Sequence, residues 1–193
     1  MKTLGIIAVI LITLVLGLLY IKSEFSPIVS PWEGTERFEP EATEEVGIPK
    51  KISIPSIDVN AEIISLGQDS YNRMDIPGDR SKVGWYSPGY RVGGLGTAVL
   101  AGHLDNPDGS QAVFSKLAEL PRNGEIHIWD DKGTKYTFIV EDKQIYNADN
   151  LPLNDIFNTY GEERLNIITC DGDLVNGSYT KRLVIYSVAG ENE

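Results

Sequence analysis

A single cysteine, two histidines and two methionines are the only soft metal-ligand side chains in this 193-residue sequence. One cysteine cannot form an internal disulfide, and a Cys-rich zinc site is excluded by the same count. Any metal site would depend mostly on carboxylates. Positive charge is scarce as well: 17 Lys+Arg stand against 28 Asp+Glu, a formal net charge of −11. A phosphate-backbone binder needs a concentrated basic surface, so the balance argues against nucleic acid as a partner. What is present is globular in kind. With 41% hydrophobic and 23% charged residues, the chain is not wholly disordered, and its length suits one domain with a real core.

There is one long hydrophobic run. From Leu4 to Ile21 no residue is charged, and only Gly5, Thr13 and Gly17 interrupt the apolar side chains. As a helix the run is roughly 27 Å long, about the thickness of a bilayer's hydrocarbon core. Lys2 precedes it, Lys22 follows it, and Tyr20 stands where an interfacial aromatic belongs. Leu18-Leu19-Tyr20-Ile21 offers no small-residue cleavage site, so residues 1–21 read as an uncleaved signal anchor, a transmembrane helix with the body of the protein outside. Residues 22–47 carry seven glutamates against Lys22 and Arg37, with Pro27, Pro31 and Pro40 breaking any regular element. That composition predicts an extended, self-repelling stalk. The stalk holds −5 of the charge and Lys2 holds +1, which leaves −7 on residues 48–193, the expected folded domain.

Beyond Ile48 the apolar period is mostly two. Lys51–Ile54 alternates, and Val59 and Ile63 continue apolar positions past Pro55. Thr97–Ala101 is a short apolar run. Glu125–Trp129 alternates, turns through Asp130-Asp131-Lys132-Gly133, and resumes at Lys135–Val140, the clearest hairpin signal in the chain. Leu165–Thr169 and Leu183–Val188 are further strands. Ala112–Leu120, with Val113, Phe114, Leu117 and Leu120 on one face, predicts a short helix, and Asn154–Tyr160 a helical turn. Many short strands with Gly/Pro-rich connections indicate a mainly β fold, a small closed or nearly closed barrel.

The lone Cys170 follows a strand-like run and precedes Asp171-Gly172-Asp173, which predicts a strand-end position, rigidly held yet reachable. An inert small core residue is the competing reading. Outside the membrane an unpaired thiol is open to oxidation, so its presence points to use. A thiol nucleophile needs a base or imidazolium partner. His127 alternates with Ile126 and Ile128 and reads as a solvent-facing strand residue. His103 ends the run Thr97–Gly102 and opens the loop Leu104–Gly109, which makes it the better partner, the alternative being a loop histidine bonded to nearby carboxylates. Arg182, opening the apolar strand Leu183–Tyr186, offers a permanently charged group with several planar donors for an oxyanion, or simply a solubilising charge.

Taken together these residues resemble the sortases, the cysteine transpeptidases of Gram-positive bacterial surfaces. Ile167-Ile168-Thr169-Cys170 is similar to the family's T-L-x-T-C signature, with Asn166 and Ile167 in place of the usual Thr and Leu. Ala101-Gly102-His103 is similar to its histidine motif, and Arg182 falls where the family's arginine does. The likeness covers roughly residues 48–189. It is closest to class F, on the segments Val83–Tyr86, Ala98–His103 and Ala112–Phe114. The resemblance implies an eight-stranded β-barrel with one or two short helices and a groove ending at Cys170. It implies Cys170 as nucleophile, His103 as proton donor to the departing amine, Arg182 on the oxyanion or substrate backbone, and Thr169 at the substrate site, helping to order it. The implied partners are LPxTG-like surface proteins, cleaved through a thioester, and an amine acceptor such as a cell-wall precursor. The implied location is the cell membrane, N-terminus inside and catalytic domain on the extracellular face. No cofactor and no metal is assigned. Some sortases are stimulated by calcium, but Asp105–Gly109 fails an EF-hand pattern at its third position, Pro107.

Two other readings share these residues: an extracellular cysteine peptidase that releases its product to water, and a non-catalytic surface-binding module of the same fold. L,D-transpeptidases also pair His with Cys, but Cys170 follows Thr169 and no S-x-G-C-like segment is present.

Overall fold

Alternating sequence becomes a closed sheet. The computed structural model describes residues 46–71, 73–158 and 160–190. Its eight strands are β1 (Pro49–Ile54), β2 (Val59–Leu66), β3 (Val83–Tyr86), β4 (Gly96–Ala101), β5 (Glu125–Asp130), β6 (Lys135–Asn147), β7 (Glu163–Val175) and β8 (Ser178–Ala189). They close in the order β1-β2-β3-β4-β7-β8-β6-β5. The barrel is mixed: β2–β3 and β4–β7 are parallel, the other pairs antiparallel. Closure leaves no sheet edge to aggregate. The expected anchor (1–21) and most of the stalk (22–45) lie outside the described residues. Among the described residues no helix is long and apolar enough to cross a membrane.

The inward side chains make one core. Ile52, Ile54, Leu100, Ile126, Ile128, Phe138, Leu165, Ile167 and Ile185 are fully buried in it, together with Phe114 and Leu117 from the β4–β5 connection. At roughly 1.5–3 kcal/mol for each large apolar side chain, this burial is the main stabilising contribution. A second apolar layer lies outside the barrel wall, where Val99, Ile156 and Val184 pack with Met74, Tyr86, Tyr146, Leu151, Phe157, Ile168 and Tyr186. Helix α1 (Leu153–Phe157) supplies two of these residues. Asn166, on the outward face of β7, donates from Nδ2 to the Ile156 carbonyl at 2.8 Å and so ties the helix to the wall. This layer explains why β4 is buried on both faces from Gly96 to Leu100.

Several expectations change. The run Ala112–Leu120 is a series of turns ending in a 3-10 helix at Leu117–Glu119. Its apolar residues do turn inward, but the amides of Val113 and Phe114 bond to the carbonyls of Arg80 and His103. An α-helical start is thereby replaced by ties to two distant segments. Asp171-Gly172-Asp173 is not a loop: β7 runs on to Val175 and turns through Asn176-Gly177, both at positive φ (50° and 79°), into β8. Two consecutive positive φ values match the tight hairpin turn that Asn-Gly favours. Lys181 and Arg182 accordingly lie within β8 rather than opening it.

Candidate active site

Three segments bring the candidate residues to one end of the β4–β7–β8 wall. Residues on β7 alternate, so Leu165, Ile167 and Thr169 face the core while Ile168 and Cys170 face outward. The antiparallel ladder pairs Cys170 with Arg182, making thiol and guanidinium residues cross-strand neighbours. β4 runs parallel to β7 with Ala101 opposite Ile168, so two more residues of chain carry His103 to the level of Cys170. The ladder continues past the strand, since the Gly102 amide donates to the Ile168 carbonyl at 3.2 Å. Thr169 is buried, and its hydroxyl donates to the Gly102 carbonyl at 2.9 Å. That bond locks the turn before His103 against the residue before Cys170. Gly102 is needed there, because a Cβ would stand 2.5 Å from the Phe114 ring.

The imidazole is held from the far side. His103 Nε2 lies 2.8 Å from the Pro77 carbonyl. A carbonyl accepts only from an N–H, so Nε2 carries hydrogen and Nδ1 is the free nitrogen of the neutral ring. Among the described residues no hydrogen bond joins His103 to Cys170. Arg182 Nη1 donates to the carbonyls of Tyr179 (2.9 Å) and Lys181 (2.7 Å). Its remaining donors are open, among the described residues.

Burial pushes the half-buried Cys170 thiol above its usual range. The Arg182 charge opposes this, Asp105 adds to it, and Arg80 opposes it more weakly. Burial and the Asp105 charge thus favour the neutral thiol, and the two arginine charges favour thiolate. His127 is not part of the site. It sits on β5 opposite Ser53 and Thr137, with Nε2 3.3 Å from Glu125 and Nδ1 3.4 Å from the Thr137 hydroxyl. Arg80, Asp105 and Tyr179 also lie close enough to interact with Cys170, and no sequence motif points to them. Arg80 belongs to a segment without periodicity, and Asp105 meets Tyr179 across 74 positions. Among the described residues no group of three His, Cys, Asp or Glu converges as a metal site would require.

A model of the sortase domain matches residues 52–189, most of the chain. The chain belongs to the sortase family. It is accordingly a cysteine transpeptidase of the family that cleaves sorting signals. Solved sortases are similar in fold. Sortase A from Corynebacterium diphtheriae (a lid mutant) has 19% identity and a TM-score of 0.59, covering 78% of this chain and 74% of that one. Sortase C1 from Streptococcus agalactiae has 21% identity and a TM-score of 0.60, covering 75% and 68%. Listeria monocytogenes sortase A has 19% identity and a TM-score of 0.57, covering 77% and 90%. No curated protein matches the chain. These sortases are of classes A and C, and they lend no support to the class F likeness drawn from the sequence.

Proposed function

We propose that this sortase is a membrane-anchored surface enzyme that cleaves an LPxTG-like signal and joins the acyl fragment, through its new carboxyl end, to an amine of the cell wall. Residues 1–21 anchor it, 22–47 hold it off the bilayer and 48–193 form the catalytic domain. The observation that supports the site assignment is the strand register: a Cys170–Arg182 cross-strand pair beside the parallel strand that delivers His103. The class F likeness rests on the sequence segments alone.

In this reading Cys170 Sγ attacks the scissile carbonyl while its proton passes to His103 Nδ1. The Arg182 donors left open hold the oxyanion. The imidazolium then returns the proton to the departing amine as the C–N bond breaks, and a thioester remains. An acceptor amine attacks the thioester, the C–S bond breaks, and the amine's proton restores the thiol. Thr169 acts from beneath, by holding Gly102. The partly exposed apolar side chains Ile168 on β7 and Tyr146 on β6, whose register partner is Arg182, suit the apolar part of a peptide signal.

Mass spectrometry of the enzyme with LPxTG-peptide variants and added amines tests this. The expected result is an adduct on Cys170 and an amine-linked product, both abolished in Cys170→Ala. Turnover unchanged in that variant refutes the nucleophile. Products that remain hydrolysed whatever amine is supplied mark a peptidase, and an unreactive Cys170 marks a binding module.

A further inference from the structure

The loop after β4 carries His103, and the β7–β8 hairpin extends beyond Cys170 and Arg182. Beyond the Thr169–Gly102 bond, one side-chain bond joins these two segments among the described residues: Tyr179 Oη donates to Asp105 Oδ2 at 2.5 Å. Both partners are held in turn. Arg80 Nη1 donates to the Asp105 carbonyl at 2.5 Å, and a bridge pairs Asp105 with Gln111. Tyr179 pairs with Leu174 across the hairpin, and its carbonyl receives Arg182 Nη1. The hairpin beyond the bond is exposed, 61% at Leu174 and 51% at Val175. A register shift between Asp171 and Leu174 also loosens it from the barrel ladder.

We propose that the Tyr179–Asp105 bond is a latch closing the β7–β8 hairpin against the His103 loop beside Cys170, with Asp105 and Tyr179 as positioning residues for acyl transfer. The proposal rests on Cys170 being the nucleophile. A hydroxyl bonded to a carboxylate is a strong tie, about twice a neutral hydrogen bond. It fixes two segments that would otherwise meet only through the strands below them. The latch also places charge. The groups around the thiol are Arg182 and the Tyr179 phenol from β8, Asp105 and His103 from the β4 end, Arg80 from the segment before β3, and the flanking ladder pair Asp171–Lys181. Of the charges acting on the thiol, Asp105 opposes thiolate and the two arginines favour it. The bond to Asp105 is also the first cause that raises the Tyr179 phenol above its usual range, so it stays a donor.

The test uses the full chain, whose sole cysteine makes alkylation by iodoacetamide specific to Cys170. Rates are followed against pH in the wild type and in Tyr179→Phe, Asp105→Ala and Asp105→Asn. Tyr179→Phe keeps the ring, and urea midpoints verify that each variant is folded. Breaking the latch in Tyr179→Phe and Asp105→Ala is expected to raise the limiting rate at high pH several-fold. Asp105→Asn still accepts the hydroxyl, so it keeps the wild-type limit while its midpoint moves to lower pH. With a sorting peptide, Tyr179→Phe is expected to lower kcat/KM about tenfold. A wild-type limiting rate in Tyr179→Phe, or an unmoved midpoint in Asp105→Asn, overturns the latch. Alkylation needs no substrate, so it judges the latch even if no peptide is turned over. The Cys170→Ala transfer assay judges the nucleophile separately.

Discussion

The two halves of the β7–β8 pair are built differently. From Leu165 to Thr169, opposite Leu183 to Ser187, the inward side chains are at most 4% exposed and the ladder is unbroken. Past Asp171 the register shifts, the apolar residues Leu174 and Val175 face solvent, and the ties to other segments are the Ala148 amide on the Thr180 carbonyl and the Tyr179 hydroxyl on Asp105, among the described residues. Cys170 and Arg182 stand at the junction. The contrast teaches how one hairpin can serve two demands. The lower half would hold the proposed reacting groups to the barrel's precision, while the upper half can move without disturbing the core.

Substitutions can break or sharpen this contrast. The largest stability effect is expected below the junction: Ile167→Ala, which empties a fully buried position, should cost about 2–5 kcal/mol in urea unfolding. The counterpart above, Leu174→Ala, should stay within about 0.5 kcal/mol; a cost as large as that of Ile167→Ala would show that the upper half is no less fixed. Gly102→Ala comes next, since the new methyl group meets the Phe114 ring. It should cost about 1–3 kcal/mol and lower kcat more than it raises KM, because it displaces His103 rather than the peptide. The smallest effect concerns Glu163 at the start of β7. Burial raises its carboxyl above the usual range, and its Oε1 has no hydrogen-bond partner among the described residues. The folded state thus holds this proton more tightly than the unfolded one. The resulting stability is present in acid and is lost as pH rises through the raised value. Glu163→Gln should therefore raise the melting temperature slightly near pH 7 and leave it unchanged at acid pH; a loss at pH 7 would mean that the carboxylate has a favourable role.

The β5–β6 hairpin was legible because both strands alternate strictly around an Asp/Gly turn. β3 was not, since Val83-Gly84-Trp85-Tyr86 is short and has no alternation to read. The upper hairpin was hidden by Asp171-Gly172-Asp173, which looks like a loop but lies at the register shift. The Asn176-Gly177 turn signal stood close by. Ala112–Leu120 misled because spacing alone cannot show that two of its amides are taken by Arg80 and His103. Cys170 and His103 stood out through rarity. Their neighbours Asp105 and Tyr179 are common residue types, and only the fold brings them together.

The parallel pairing of β4 with β7 has a kinetic corollary. Gly102 and Thr169, joined by one bond, are 67 residues apart, and β4 has no partner on that side until β7 exists. Contacts of such long range form late and slowly. In a growing chain β1, β2, β4 and His103 are all made well before Cys170. The proposed nucleophile and proton carrier meet only when the barrel closes, so the thiol gains its chemical company in the same event that completes the fold.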